Sequence, residues 1–549
     1  MQRSHLIAFA LVSLWANVAG TFRNATAAGR PNIILLYTDD QCFRSLGATG
    51  TPDVHTPNMD ALATEGILFR RHYNSTSICM GSRASVMTGM YEYKTGCNFG
   101  HGPMRSETFQ SSYPVLLRTA GYRTGFGGKF GFAVSDRANA SEGSYNSLPV
   151  DQFDSWAGGT GQTNYQTAKN KYLAKYADRY PHSTRAYGAY ADDFIAESQS
   201  DERPFCLTLF FKAPHRPFTP DPFFDDIYKD ATFTLPGNYG REAGKHLAMQ
   251  ARLGRQSLTF FRDMGFDPAR YQSTMRDYHQ LIHGVDYAIG MIRQALQKHG
   301  AAENTIIILT SDNGFFCGSH GMGGKVLPYE EGSKVPLIIY DPRQSTNKPS
   351  NSGTTCDQLT ATVDIAPTIL ELAGQPIPDQ IDGVSLVPTF TTPVVQEPSL
   401  PQRDSVPLFQ MWGAPTTFSM SVVTQTHKYI YWCCGEKMQP SEELFNLADD
   451  PMELVNVIDD PQEQQTLQTL RHRYQSQLAH LKSNAVAYND YQVFGTLLDA
   501  AVPWESKSSL VNQKMWQQYE SLAKQLGISP AQYFDFEKVL EASAKFSTR

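Results

Sequence analysis

One cysteine stands at the start of a predicted helix and could carry a reactive group. Cys79 precedes the helix-tolerant run at residues 82–87, which ends at Thr88 and Gly89. A helix N-terminus carries a positive field that favours an anion, and Arg83 adds a fixed cation one turn further on. The pattern indicates a cysteine-derived group beside an anion site. A lone cysteine is more commonly a buried structural residue, so the groups around it decide between the two interpretations.

Polar side chains that could bind an ion follow several apolar runs. They are Asp39 and Asp40 after residues 32–38, Lys129 after the glycine-rich stretch 122–128, His215 after residues 205–211, and Asp312 with Asn313 after residues 305–310. Open α/β sheets bind ligands at the carboxyl ends of their strands, so we expect these groups to meet Cys79 at one edge. Adjacent carboxylates repel each other unless a cation lies between them. Each group alone could belong to a solvated loop, but the repetition argues for one shared site.

The elements that must position these groups alternate between apolar strands and amphipathic helices. This pattern predicts an α/β fold with a large, mostly parallel sheet sandwiched by helices, including a long helix at residues 271–298. A proline-rich linker at 391–401 precedes a smaller C-terminal α+β subdomain of antiparallel strands and one helix. The predicted division is a signal peptide at 1–28, a catalytic domain at 29–395, an antiparallel-sheet subdomain at 402–485 and a helical extension at 486–549.

The N-terminal segment predicts export. Arg3 and His5 form a short basic region, residues 6–19 are apolar, and the small residues 25–27 offer a cleavage site. The apolar run is short for the roughly 20 residues that a membrane-spanning helix needs. We therefore expect an exported protein, in a periplasmic, secreted or lumenal compartment, with no stable membrane span.

Composition and net charge limit the classes of molecule that the protein could bind. The chain has 549 residues and a formal net charge of −7, so it lacks the basic excess of a nucleic-acid-binding protein. A polyanionic substrate would have to be held by local lysine, arginine and histidine side chains. The 8 cysteines allow disulfides in an exported protein, but their spacing defines no connectivity.

Cys79-x-Gly81-x-Arg83 followed by Thr88-Gly89 resembles the C-x-P/A-x-R signature of the type I sulfatases, within the alkaline-phosphatase-like superfamily. The resemblance covers about residues 30 to 480 and includes further motifs. These are Asp39-Asp40, Gly128-Lys129, Pro214-His215-x-Pro217, Ser311-Asp312-Asn313-Gly314 and Gly324-Lys325. It implies an enzyme that hydrolyses sulfate esters, such as those of a sulfated carbohydrate.

The resemblance also implies the cofactors. A maturation enzyme that generates formylglycine would oxidise Cys79 to the aldehyde, whose hydrate attacks sulfur with one hydroxyl and expels sulfate with the other. One calcium ion would be bound by an oxygen of the modified Cys79 together with Asp39, Asp40, Asp312 and Asn313. Carboxylate and amide oxygens are ligands that suit Ca²⁺.

The remaining roles follow from the same resemblance. Arg83 would support the diol. Lys129 and Lys325 would hold the sulfate oxygens and offset charge in the transition state. His215 would protonate the leaving alcohol.

Two positions depart from the family pattern. Gly81 stands where proline or alanine is usual, and Gly131 stands where many members have a histidine in G-K-W-H. His101 and His320 are the candidates to fill the space of the missing histidine. The loops expected at 136–204 and 221–269 would shape substrate selection, and they identify neither the sugar nor the sulfate position.

Two other functions are compatible with these motifs. A phosphodiesterase or phosphonate hydrolase of the same superfamily can share the metal site and the modified cysteine. An inactive glycan-binding relative would keep the fold without the chemistry, and failure to bind a metal would favour it.

Overall fold

The computed structural model describes residues 29–136, 147–344, 353–391, 403–433, 440–511, 513–534, 538–539 and 541–542. The predicted signal peptide at 1–28 and nearly all of the predicted linker at 391–401 lie outside these ranges. No helix within them combines the length and the apolar content that crossing a bilayer requires.

An eight-stranded sheet forms the centre of the molecule, in the order β5-β4-β6-β1-β7-β8-β2-β9. Its strands are β1 (Asn32–Thr38), β2 (Ile67–Phe69), β4 (Arg123–Lys129), β5 (Ser155–Gly159), β6 (Phe205–Phe210), β7 (Thr305–Ser311), β8 (Leu337–Tyr340) and β9 (Thr354–Cys356). Neighbouring strands run parallel except at β8, which is antiparallel to both β7 and β2. The prediction of an α/β fold with a mostly parallel sheet is confirmed. A short pair, β3 (His72–Tyr73) and β10 (Thr360–Ala361), lies beside it.

Helices pack on both faces of the large sheet and in the C-terminal part. They are α1 (Pro57–Glu65), α2 (Cys79–Thr88), α3 (Glu92–Thr95), α4 (Ser106–Gln110), α5 (Tyr113–Thr119), α6 (Ser183–Ser198), α7 (Met249–Arg252), α8 (Phe261–Asp263), α9 (Tyr271–Lys298), α10 (Glu330–Ser333), α11 (Ile365–Leu372), α12 (Val387–Thr391), α13 (Gln464–Asn484), α14 (Tyr491–Leu497), α15 (Trp504–Lys507) and α16 (Gln513–Leu526). Alternate residues of β1 point to opposite faces. Ile34 and Leu36 pack with α6 and α9, whereas Ile33, Leu35 and Tyr37 pack with α2, α5 and α11.

Helix α6 corrects the expectation of loops and irregular helix across residues 136–204. It is a regular helix that buries Tyr187, Ala191, Phe194 and Ile195 among other residues. These positions recur at helical spacing. The glycine, serine and tyrosine residues around them obscured that period in the sequence.

The C-terminal part is a four-stranded antiparallel sheet with a helix against it, as predicted. Its strands are β11 (Val406–Gln410), β12 (Ser419–Val423), β13 (His427–Trp432) and β14 (Ser441–Asn446), paired in that order, and α13 packs on them. Buried Lys428 of β13 lies 2.9 Å from Glu330 and 2.8 Å from Glu453. Because Glu330 begins α10, which follows the Lys325 loop, this ion-pair cluster ties the small sheet to the segment that carries Lys325.

Candidate active site

The strand order brings the polar groups predicted from sequence to one edge of the large sheet. The strands β4, β6, β1 and β7 are consecutive neighbours and all run in the same direction. Thr38 pairs with Ser311, so the segments that follow β1 and β7 leave the sheet side by side. The same holds for β4 and β6, where Gly128 pairs with Phe210.

The acidic side chains and Asn313 are buried and in contact. The Asn313 amide donates to Asp40 Oδ1 at 2.6 Å, and the Asp40 backbone N–H donates to Asp312 Oδ1 at 3.1 Å. Asp40 holds a positive φ of 69°, a conformation that non-glycine residues adopt mainly under tertiary constraint. Among the described residues, Asp39 Oδ1 and Asn313 Oδ1 are buried and have no hydrogen-bond partner, and Lys325 Nζ lies 3.7 Å from Asp39 Oδ1. Buried polar atoms normally have a partner, so these two oxygens fit a missing ligand.

Three cationic side chains face the three carboxylates. Arg83 is fully buried and donates to Asp312 Oδ2 from Nη2 at 2.7 Å and from Nε at 2.9 Å. Lys129 forms an ion pair with Asp39, and Lys325 forms one with Asp40. The formal charges of these six groups sum to zero. A bound divalent cation would therefore leave the site with a net charge of about +2, which favours an anionic substrate.

The pKa values of two carboxyls diverge inside this cluster. Burial would raise the pKa of Asp39, but the cations around it, led by Lys129, hold that pKa well below its usual range. Burial and the negative charge of Asp39 raise the pKa of Asp312 to about 7. Opposed shifts of neighbouring carboxyls are typical of functional sites.

His215 reaches the cluster from the turn after β6. Its Nε2 lies 3.9 Å from Asp40 Oδ2, and its Nδ1 lies 2.6 Å from the Arg216 carbonyl oxygen. Because a carbonyl only accepts hydrogen bonds, Nδ1 carries the proton and Nε2 is the nitrogen that can exchange one. Burial lowers the pKa of His215 to about 4, so the free site holds a neutral imidazole.

Cys79 begins helix α2 rather than preceding a helix that starts at residue 82. It is buried and lies within electrostatic reach of the Arg83 and Lys325 charges. The helix ends at Thr88, and Gly89 after it closes the last turn with a φ of 70°. The first residue of the helix is therefore the one that lies near the two cations.

Several residues that support the site were not singled out from the sequence. Asn74 donates to Ser82 Oγ at 2.8 Å and to the Asp312 carbonyl, and the Tyr37 hydroxyl lies 2.6 Å from the same Ser82 oxygen. These bonds join α2 to β1 and to the segment after β7. Lys212 is a further buried cation, and Asp39 interacts with its charge. Its position after the buried strand β6 was the available signal.

The candidates for the missing histidine lie elsewhere. His101 is held between Asp490 at 2.6 Å and the Met411 carbonyl at 2.7 Å. His320 is held between Asn238 at 3.1 Å and the Ala243 carbonyl at 3.3 Å. Both rings are engaged outside the site, so neither replaces the family histidine in this structure.

Gly131, where the family histidine would stand, packs directly on the active-site arginine. Its φ is +85°, and a Cβ there would lie 2.5 Å from Arg83 Cδ. A side chain at 131 would displace the guanidinium that holds Asp312 in the present backbone.

We expect Gly131→Ala to lower the free energy of unfolding by about 1–3 kcal/mol, as overpacking does, and to reduce activity because Arg83 must move. Chemical denaturation and kcat/KM would measure both effects. Gly240→Ala is the matched control, because Gly240 has the same φ of +85° and open space around it. Equal losses in the two variants would show that backbone strain, and not the contact with Arg83, is responsible.

The residues present fit a bound cation. Oxygen or nitrogen atoms of Asp39, Asp40 and His215 lie within 4.8 Å of one another and could hold a metal ion. Asp39 Oδ1 and Asn313 Oδ1, which accept no hydrogen bond from the described residues, belong to the same cluster. A set dominated by oxygen donors suits Ca²⁺ or Mg²⁺.

Comparison with known families finds a match over most of the chain. The model of the Sulfatase family matches residues 31–375, more than half of the 549 residues. A second model, described as N-sulphoglucosamine sulphohydrolase, C-terminal, matches residues 318–480. The two matches overlap across the Lys325 segment and extend through the C-terminal sheet.

Individual relatives agree with these matches. An N-acetylglucosamine-6-O-sulfatase of Bacteroides thetaiotaomicron is 29% identical over 419 residues, covering 66% of this chain and 71% of the relative. An arylsulfatase of Clostridium perfringens is 26% identical over 477 residues, covering 80% of this chain and 93% of the relative.

Solved structures with the same fold include proteins named for different substrates. A protein in complex with its substrate D-glucosamine-2-N,6-O-disulfate superposes with a TM-score of 0.66 at 25% identity, covering 83% of this chain and 99% of that chain. A phosphonate monoester hydrolase of Agrobacterium radiobacter superposes with a TM-score of 0.65 at 23% identity, covering 83% and 96%. The second likeness concerns the fold alone.

Proposed function

The chain belongs to the sulfatase family and hydrolyses sulfate esters, and from that premise we propose that it removes sulfate from a carbohydrate by means of a formylglycine at position 79. The observation that carries the proposal is the placement of Cys79. It begins a helix within electrostatic reach of Arg83 and Lys325, the two cations that pair with Asp312 and Asp40. Relatives named for N-acetylglucosamine sulfates support the choice of a sulfated carbohydrate.

Calcium is the proposed metal, and Asp39, Asp40, Asp312 and Asn313 are its proposed ligands together with the modified Cys79. When bound, the ion would polarise the sulfate group and favour an anionic oxygen nucleophile. The carboxylate and amide oxygens supplied by these four residues support the assignment, as does their burial.

Lys129, Lys325 and Arg83 are proposed to hold the anionic groups in place. Their charges offset the three carboxylates, so a cation added to the site leaves excess positive charge for a sulfate ester. Burial strengthens such interactions, because the local dielectric is low. Arg83 is also held in place, because it donates hydrogen bonds to Asp312 and, at 2.8 Å, to the Lys129 carbonyl.

His215 is the proposed general acid toward the leaving alcohol. Its Nδ1–H is committed to the Arg216 carbonyl, which fixes the ring and leaves Nε2 as the atom that gives up a proton. A sulfate anion bound nearby would raise the pKa of His215 from its low value in the free site. Binding of the negatively charged substrate would therefore favour protonation of His215, which could then act as the acid.

We expect His215→Ala to reduce kcat/KM about 10²–10⁴-fold for a sugar sulfate and far less for 4-nitrophenyl sulfate, because nitrophenolate leaves without protonation. Steady-state kinetics on both substrates would measure the difference. Equal losses on the two substrates would argue for a binding role instead.

The remaining proposals concern processing and organisation. The predicted signal peptide at 1–28 would direct export, and a formylglycine-generating enzyme would convert Cys79. Residues 29–395 would form the catalytic domain, with 402–485 as the antiparallel-sheet subdomain and 486–549 as a helical extension. The cluster at Lys428 supports a close association of the first two parts.

A substrate panel tests the proposed function. Purified, formylglycine-containing enzyme should release sulfate from defined sulfated saccharides and from an aryl sulfate, and should act much less on an aryl phosphodiester or phosphonate. A preference for the phosphorus esters would support the alternative of a phosphodiesterase or phosphonate hydrolase. Binding of saccharides without turnover would support the glycan-binding alternative.

A further inference from the structure

Two arginines that form no ion pair with any described residue lie near one aromatic ring beside the proposed active site. The guanidinium carbons of Arg216 and Arg255 lie 5.4 Å and 5.0 Å from the centroid of the Phe260 ring. Within the part of the chain that the structure describes, neither side chain forms an ion pair. Asp263 is within electrostatic reach of Arg216 but does not bond to it. Two like charges therefore share one ring without a counter-charge.

This pair adjoins two of the proposed catalytic residues. Arg216 follows His215 in the chain. Gln256, which follows Arg255, donates to the Lys325 carbonyl at 2.9 Å. Phe260 packs so closely on Gly324 that a Cβ there would meet its Cδ2 at 2.9 Å. The ring and its two arginines thus stand next to the turn and the loop that deliver His215 and Lys325.

The chemistry of the patch suits a charged sugar. Arginine binds sulfate and carboxylate groups through paired N–H donors, and an anion between the two guanidiniums would relieve their repulsion. Arg255 also lies over the Trp412 ring at 4.9 Å. Aromatic rings such as Phe260 and Trp412 offer apolar faces against which a sugar ring can pack.

We propose that Arg216, Arg255, Phe260 and Trp412 form a second anion subsite. It would bind a further sulfate or carboxylate group on a saccharide whose scissile sulfate occupies the site at Cys79. The substrate class is then a multiply charged saccharide, rather than a neutral sugar carrying one sulfate. This inference rests on the proposed function and adds to it the charge pattern of the substrate.

The test compares substrates that differ in one charge. Arg216→Gln, Arg255→Gln and the double variant would be assayed on saccharides with the scissile sulfate alone, on matched saccharides with a second anionic group, and on 4-nitrophenyl sulfate. We expect KM for the doubly charged saccharide to rise about 10-fold in each single variant, with kcat and the aryl sulfate kinetics nearly unchanged. Arg203→Gln is the control, because Arg203 is paired with Asp201 and precedes β6 at the opposite edge of the sheet.

The outcomes separate this inference from the proposed function. An equal rise of KM on singly and doubly charged saccharides, or no rise on either, would overturn the subsite while leaving the sulfatase assignment in place. If the wild-type enzyme cleaved 4-nitrophenyl sulfate but no sulfated saccharide, the carbohydrate proposal would fail and the subsite with it.

Discussion

Replacement of Cys79 by alanine is expected to abolish sulfate ester hydrolysis while leaving the fold intact. A formylglycine hydrate offers one hydroxyl to attack sulfur and another to expel sulfate, whereas a methyl group offers neither. An unmodified thiol would attack but would leave a sulfur-linked adduct without a second hydroxyl to release it. We therefore expect kcat/KM to fall at least about 10⁴-fold, as in other enzymes that lose their nucleophile.

Three measurements would define this result. Mass spectrometry of the peptide spanning residues 77–83 of the active enzyme should show the mass of the aldehyde or its hydrate, despite Gly81 at the usual proline or alanine position. The alanine variant should melt like the parent and still bind a sulfated ligand, because Lys129 and Lys325 remain. Cys97→Ala, at another buried cysteine, should keep its activity. Fully active protein with an unmodified Cys79 would refute the mechanism.

Loss of the cation or of the Asp312 charge should also reduce activity strongly. We expect chelation to remove activity and added Ca²⁺ to restore it. Asp312→Asn should lower calcium occupancy and reduce kcat/KM at least about 100-fold, since the carboxylate is a proposed ligand. The asparagine keeps an acceptor for the Asp40 backbone N–H. Metal analysis and kinetics on the same samples would connect occupancy to rate.

The structure also predicts a stability cost for this variant. Arg83 donates twice to Asp312 and is fully buried, and removing one partner of a buried pair leaves a charge poorly compensated. Asp341→Asn is the matched control, because Asp341 is also buried and pairs with Arg343 at 2.7 Å. It follows β8, whose Tyr340 pairs with Ile307 near the start of β7, far from the carboxyl end. Full activity in metal-free protein would contradict the proposed metal role.

Ion pairs and hydrogen bonds within the site explain how it tolerates three buried carboxylates. Lys129 and Lys325 each pair with one of them, and Arg83 bonds the third. The sequence motifs correctly indicated which residues would gather at the sheet edge. They did not indicate that the cations would hold the carboxylates directly, or that Arg83 would be bonded chiefly to Asp312.

Local patterns determined the elements of this protein. The uninterrupted apolar run at 32–38 specifies a strand buried on both faces, and the apolar stripe of α9 specifies its full length, Tyr271–Lys298. Both signals come from residues close together in the sequence, so they can be recognised without knowing which other elements pack against them. The polar residues at the ends of such strands were visible for the same reason.

Tertiary structure alone decided which side chains meet. Arg216 and Arg255, 39 residues apart in the chain, both lie near the Phe260 ring. Gly131 turned out to lie against Arg83, a contact that explains why no histidine fits there in this backbone. Such contacts depend on strand order and register, which place residues far apart in the chain within a few ångströms. Periodicity and propensity describe one segment at a time and carry no information about that distance.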